Sequence, residues 1–247
     1  MKKVAILVIA AVLLVLAARV AAQEPTRIII VNGQSNAGRL GKGTYSVPGV
    51  AYYSPQATGS GAWVPLASTK GYHGVEIPLL ARLSELCPER RFAVVQVWAN
   101  ATPISEWKPP TGRQFRRLNN VVQAAGGRLS GEPVVAGFAW LQNERDSRDP
   151  LLAARYGSAM TTLVAAWRDH FAADLPFALM GPHTFMASGG AIVNDGLAAL
   201  DAADENAAVA YTLDLTTNDD GVHFNSAGLF TLGGRMADSL YAMGACD

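Results

Sequence analysis

The chain has 247 residues, half of them apolar, and its 20 basic and 20 acidic side chains leave no formal net charge. That balance offers no basic footprint for nucleic acid and no charged tail. The only cysteines, Cys87 and Cys246, lack the spacing of a metal site or a redox pair.

The first element is a leader. Lys2 and Lys3 precede an unbroken apolar run of 15 residues, 4–18, and Val20-Ala21-Ala22 supplies the small residues before a cut after Ala22. This pattern describes a secretory signal peptide over residues 1–22 and a secreted or periplasmic product. The run is short for a membrane span, and an uncleaved anchor is the alternative. Loss of Lys2, Lys3 and Arg19 leaves 17 basic residues against 20 acidic, a mild net charge of −3. Residues 23–247 then form a single domain with ample core. Both cysteines lie in that exported part, where a bridge is permitted but not dictated by the sequence.

Next comes a β-branched run, residues 27–32, that ends in Gly33-Gln34-Ser35-Asn36. Residues 39–74, rich in Gly, Pro, Ser and Tyr, read as a long loop over one edge. Helical spacing over 75–86 leads to a strand at 92–98, and a mixed helix at 114–128 to a strand at 134–140. A long amphipathic helix at 151–171 precedes a strand at 177–181. A helix at 187–206, a strand at 209–215 and a helix at 225–242 close the chain. Strands alternating with helices predict βαβ units, and apolar runs such as VVAGFAW predict a parallel sheet buried on both faces.

Ligands of such sheets bind beyond the carboxyl ends of the strands. Polar side chains gather there: Gln34, Ser35 and Asn36 after the first strand, Asn100 and Thr102 after the second, Gln142, Asn143, Glu144 and Asp146 after the third. His183 follows the fourth, and Asp214, Asp219, Asp220 and His223 follow the fifth. A serine hydroxyl needs a base to take its proton as it attacks. DDGVHF supplies a histidine and, three residues before it, a carboxylate that can reach back to Nδ1 and leave Nε2 facing the serine. Ser35 at a strand-to-helix junction also offers an N–H to a developing oxyanion, which the Gln142 amide and an N–H near Asn100 can complete. Gln34, Asn36, Glu144 and Trp107 are supporting or substrate-binding candidates. Trp63 and Trp107, on loops, suit stacking on a sugar, whereas Trp98 and Trp140 suit the core. His183 is a rival base, His73 reads as a loop residue and His170 as a solvent-facing one.

In order along the chain, GQSNAGR, HGVEIPLLARL, ATPISEW, WLQNERD and DGVHF resemble the blocks of SGNH-type hydrolases, in particular sialate O-acetylesterase-like carbohydrate esterases. The blocks span residues 33–224. The resemblance implies a flavodoxin-like three-layer α/β/α sandwich with a doubly wound, parallel, five-stranded sheet. It also implies no metal or organic cofactor, and removal of acetyl groups from sugar hydroxyls. By position it makes Ser35 the nucleophile, His223 the base and Asp220 its orienting acid, with Ser35, Asn100 and Gln142 forming the oxyanion hole. Two departures stand out. Asn100-Ala101-Thr102 replaces the family's usual Gly-Gly-Thr, and Gln142-Asn143-Glu144 replaces Gln-Gly-Glu, so side chains occupy space that glycine leaves open. A lipid-ester or thioester hydrolase of this type, or a carbohydrate-binding protein of the same fold without turnover, are the alternatives. An α/β-hydrolase elbow is excluded, because Ala37 stands where G-x-S-x-G needs its last glycine. The expected partner is an acetylated carbohydrate, with no nucleic acid and no stable membrane insertion.

Overall fold

The β-branched run becomes the centre of the molecule because a strand sends alternate side chains to opposite faces. Ile29 and Val31 enter one apolar core, and Ile28 and Ile30 the other, on the far side of the sheet. The computed structural model describes residues 24–129, 132–181 and 189–247. The leader read at residues 1–22 and the rival base His183 lie outside them. Among the described residues, no helix is long and apolar enough to cross a membrane.

The chain begins with β1 (Arg27–Gly33), a turn of 3-10 helix at Ser35–Ala37, β2 (Gly41–Lys42), β3 (Ser46–Tyr53), α1 (Pro55–Thr58), β4 (Val64–Ala67) and β5 (Tyr72–His73). Then come α2 (Glu76–Leu86), β6 (Phe92–Trp98), a second 3-10 turn at Ile104–Trp107, α3 (Arg113–Gly126), β7 (Val134–Leu141) and α4 (Glu144–Ser147). The last part holds α5 (Pro150–His170), β8 (Phe177–Met180), α6 (Gly190–Ala203), β9 (Ala207–Ala210) and α7 (Ser226–Ala242). Helices α2 and α7 pack into the core on one face, and α3, α5 and α6 into the core on the other. The result is the expected three-layer α/β/α arrangement.

The sheet has seven strands in the order β4-β3-β6-β1-β7-β8-β9, not the five expected from sequence. All neighbours are parallel except the β3–β4 pair. The two extra strands come from residues 39–74, read as loop. In β3, Pro48 and Gly49 break the apolar alternation, yet Val47, Val50 and Tyr52 are buried against the core. Both residues fall where the β3–β4 register shifts, between Ser46 and Ala51, and strands tolerate such residues at a bulge, so the breakers mark an irregularity and not a loop. The last strand also starts earlier than expected, at Ala207, because alanine carries little strand signal.

The connections run from β1 through β3 to β6 on one side of β1, then cross to β7, β8 and β9 on the other. That reversal is the topological switch point where such sheets open a crevice. Register makes it sharp: Gly33 lies level with Trp98 of β6 and with Leu141 of β7. The segments after these three strands therefore leave the sheet side by side.

Cys87, at the end of α2, is bridged to Cys246, which follows α7; the Cα atoms are 6.2 Å apart and 159 residues separate them in sequence. The two helices cross closely, for a Cβ at Gly233 would come within 2.6 Å of Pro78. The bridge the sequence left open thus clamps the C-terminus to the first full-length helix.

Candidate active site

Gly33 ends β1 with φ +143°, and a Cβ there would lie 2.1 Å from the Leu141 carbonyl oxygen. Only glycine fits, and the close approach lets the Gln34 N–H donate to that same carbonyl at 2.9 Å. The chain then tightens into the Ser35–Ala37 turn, closed by the Gly38 N–H donating to the Ser35 carbonyl at 2.9 Å. Ser35 is carried to the carboxyl edge of the sheet, half-buried, at the head of that turn.

Its partners arrive from the loop before α7. Ser35 Oγ lies 2.8 Å from His223 Nε2, and His223 Nδ1 lies 2.6 Å from Asp220 Oδ2. The other Asp220 oxygen accepts from the N–H groups of Val222 at 2.8 Å and His223 at 2.9 Å, so the carboxylate folds its own loop around itself. Gly221 makes the bend with φ +66°. Burial tends to raise the Asp220 carboxyl, but the hydrogen bonds from His223 and Val222 outweigh it and bring it down to about 2. The carboxylate is therefore ionised at neutral pH and fixes the imidazole with Nδ1–H toward itself.

Asn36 fastens the two distant segments together. Its Nδ2 donates to Glu144 Oε1 at 2.6 Å and to the Val222 carbonyl at 3.2 Å, while its Oδ1 accepts the Phe224 N–H at 3.1 Å. Glu144 is buried, and its second oxygen accepts the Asn143 N–H at 3.1 Å. Burial raises the Glu144 carboxyl above its ordinary range, against the pull of Asn36 and His223. Asp146, also buried, accepts from Gln142 Nε2 at 2.6 Å and from the Ile104 N–H at 3.1 Å; burial raises its carboxyl too.

This geometry corrects two expectations. The Gln142 amide is fully buried, and it donates to Asp146 and, at 2.9 Å, to the Thr102 carbonyl. Both of its hydrogens are spent inside the protein, so it braces the neighbouring loop and is not an oxyanion donor. Trp107 is no sugar platform. It is fully buried, its Nε1 donates to Thr102 Oγ1 at 3.0 Å, and its ring meets Trp140 edge-on at 5.5 Å. Trp63 likewise turns inward, donating to the Ala125 carbonyl at 3.0 Å. His73, read as a loop residue, is fully buried between the Gly74 carbonyl and Ser226 Oγ. Trp140 sits in the core and His170 faces outward, as their positions in the sequence suggest.

A cleft of ≈ 330 Å³ opens beside the serine, lined by Gln34, Ser35, Asn100, Ala101, Glu144 and Arg145 together with Arg148, Asp220, Val222 and His223. Asn100 and Ala101 are exposed, and Ala101 holds φ +55°, a left-handed conformation unusual for a residue with a Cβ. Among the described residues, neither N–H of this pair has an acceptor within the protein. These two groups and the leading N–H of the Ser35 turn are the donors available to an oxyanion in the cleft. Sequence reasoning missed Arg145 and Arg148, although two arginines directly after the third strand's end were a visible signal. Among the described residues, no three His, Cys, Asp or Glu side chains come together as a metal-ligand group.

Solved structures share this architecture. A protein from Arabidopsis thaliana superposes with TM-score 0.74 at 16% identity, over 88% of this chain and 98% of its own. NanS gives 0.69 at 14% identity, over 89% and 98%. A carbohydrate acetylesterase from Xanthomonas citri gives 0.65 at 16% identity, over 85% of this chain and 55% of its own. At such identities the likeness is one of fold. No curated protein matches the chain in sequence. The family model described as carbohydrate esterase, sialic acid-specific acetylesterase, matches residues 25–242, and the chain belongs to that family of acetyl-ester hydrolases.

Proposed function

We propose that the protein is a serine esterase that removes O-acetyl groups from a carbohydrate through an acetyl-serine intermediate, outside the cytoplasm. The observation that carries this reading is the unbroken hydrogen-bonded line from Ser35 Oγ through the His223 ring to Asp220, at 2.8 and 2.6 Å.

In the reaction, Ser35 Oγ attacks the acetyl carbonyl as His223 Nε2 takes its proton. Asp220 keeps Nδ1–H in place and steadies the imidazolium that forms. The tetrahedral oxyanion is met by the N–H of Ser35 and by the N–H of Asn100. Collapse expels the sugar alkoxide, which His223 protonates, and leaves Ser35 acetylated. Water then attacks the acetyl carbon with His223 as base, releasing acetate and restoring the serine. Such electrostatic stabilisation supplies factors of about 10² to 10³ per donor, and a backbone donor keeps its place whichever side chain stands at Asn100.

Asn100, Arg145 and Arg148 line the cleft with groups that can hydrogen-bond a sugar. Export is supported by the leader-like residues 1–22 and by the Cys87–Cys246 bridge, which belongs to an oxidising compartment. The test is acetate release from a panel of acetylated glycans and longer acyl esters, with Ser35→Ala beside the natural chain. Release confined to acetyl sugars and abolished in Ser35→Ala upholds the reading. A preference for long acyl chains replaces it with the lipase-like alternative, and glycan binding without any ester turnover replaces it with a binding protein.

A further inference from the structure

HGVEIPLLARL, residues 73–83, is the one block of the resemblance that lends no side chain to the cleft. Yet His73 and Glu76, at its front, are fully buried. Burying such groups is costly unless their partners offset it, and those partners lead to both halves of the catalytic pair.

Glu76 faces the serine. One of its oxygens accepts the Gly74 N–H at 3.0 Å and lies 3.1 Å from Arg39 Nε. The other accepts from Gln96 Nε2 at 2.9 Å, and the same amide nitrogen donates to the Ala37 carbonyl at 2.7 Å. Tyr52 donates its hydroxyl to Gln96 Oε1, so every polar group of that amide is engaged. Ala37 is the last residue of the Ser35 turn. Gln96 thus grips the turn at its far end, and Glu76 fixes the way Gln96 points.

His73 faces the histidine loop. Its Nδ1 donates to the Gly74 carbonyl at 3.0 Å, and its Nε2 lies 3.2 Å from Ser226 Oγ. Ser226, three residues after His223, opens α7 and donates to the Lys42 carbonyl at 2.5 Å. The Tyr45 and Phe230 rings meet the imidazole edge-on at 4.9 and 5.4 Å, and a Cβ at Gly41 would lie 2.7 Å from its Nε2. The ring is wedged in place.

We propose that His73 and Glu76 are positioning residues, acting through Ser226 and Gln96, that together set the distance between Ser35 and His223. One short buried segment holds the end of the serine turn with one arm and the chain just past the histidine with the other. Asn36 ties the two loops to each other; residues 73–76 tie both to the body of the protein. The inference rests on the esterase reading of Ser35 and His223.

The experiment reads the contact and its consequence separately, on the full chain. The contact is followed by NMR as the nitrogen resonance of His223 Nε2 in isotope-labelled protein, with Ser35→Ala marking its position when the hydroxyl is gone. The consequence is kcat and KM for para-nitrophenyl acetate. His73→Phe and Ser226→Ala loosen one arm, Gln96→Met and Glu76→Gln the other, and Ser226→Thr keeps the hydroxyl. Ser226→Ala is the mild member, because the residue is only half-buried and the α7 cap comes from Asn225. In both arms the resonance is expected to move toward its Ser35→Ala position. The value of kcat falls about ten-fold while KM stays within about two-fold, as when orientation and not binding is lost. Ser226→Thr restores both readouts. A resonance unmoved in the folded variants of either arm, a loss of kcat matched by a rise in KM, or no restoration by Ser226→Thr overturns the proposal. A responsive resonance in a natural chain that hydrolyses no ester leaves the brace standing and removes the esterase reading instead. One and the same resonance position in the natural chain and Ser35→Ala overturns both.

Discussion

The Phe224 N–H donates to Asn36 Oδ1 at 3.1 Å across 188 residues of sequence, joining the residue after Ser35 to the residue after His223. With the bond from Asn36 Nδ2 to the Val222 carbonyl, it brackets the histidine from both sides. The 2.8 Å contact between Ser35 and His223 is therefore held by their chain neighbours, Asn36 beside Ser35 and Val222 and Phe224 on either side of His223. Asn36→Ala leaves the serine and histidine in place chemically but frees their spacing. The expected outcome is a fall in kcat/KM of about 10- to 100-fold and a stability loss of about 1–3 kcal/mol from the stranded buried groups. Steady-state kinetics and denaturant titration check the two parts separately.

Glu144 connects this bracket to the interior at a cost. Burial raises its carboxyl, so the folded state holds its proton more tightly than the unfolded chain does. Stability from that group is full below the ordinary glutamate range of about 4.3 and is lost as pH rises through the raised folded value. Glu144→Gln removes this dependence and still offers an oxygen to the Asn36 amide. The expected outcome is that the two proteins melt alike in acid and that the natural chain falls behind the variant as pH rises toward neutral. Melting curves over a pH series decide it, and parallel slopes would show that the buried carboxyl is not the cause.

The Cys87–Cys246 bridge closes a loop of 159 residues in sequence and ties α2 to the C-terminus. Cross-links of this reach stabilise by about 2–5 kcal/mol, chiefly through the unfolded chain. Cys87→Ser paired with Cys246→Ser is expected to lower the melting temperature while leaving kcat/KM near its original value, because neither residue lines the cleft. A reductant on the natural chain gives the same shift.

Gly33 is the most constrained backbone position of the site. With φ +143° and no room for a Cβ beside the Leu141 carbonyl, Gly33→Ala forces β1 away from β7 at the serine's doorstep. The expected cost is about 3 kcal/mol or more, with a lowered kcat on the protein that still folds. Calorimetry and kinetics on the soluble fraction measure both.

Much of this site was legible before any coordinates. Long β-branched runs, polar side chains at their carboxyl ends and an Asp-x-x-His pair each carry a local signal, and a parallel sheet converts strand ends into one edge. What escaped was non-local. β3 was hidden because Pro48 and Gly49 mimic a loop, and its pairing with β4 and β6 shows it to be a strand. Gln142 was assigned by its block to the oxyanion, but the acceptors that take its hydrogens, Asp146 and the Thr102 carbonyl, meet it only in three dimensions. Trp107 lies on a short turn as expected, and the core beneath, with Trp140, draws it inward. Arg145 and Arg148 were visible as charges but not as cleft residues, since the segments that place them beside Ser35 and His223 meet only in three dimensions.

The central claim is that Ser35 is a hydroxyl made nucleophilic by His223. Intact-protein mass spectrometry after exposure to a fluorophosphonate tests it most directly. The expected result is a single adduct on the natural chain that maps to Ser35, is absent from Ser35→Ala, and forms at least about 10³-fold more slowly in His223→Ala. Equal labelling of the natural chain and Ser35→Ala, or labelling that does not depend on His223, would contradict it.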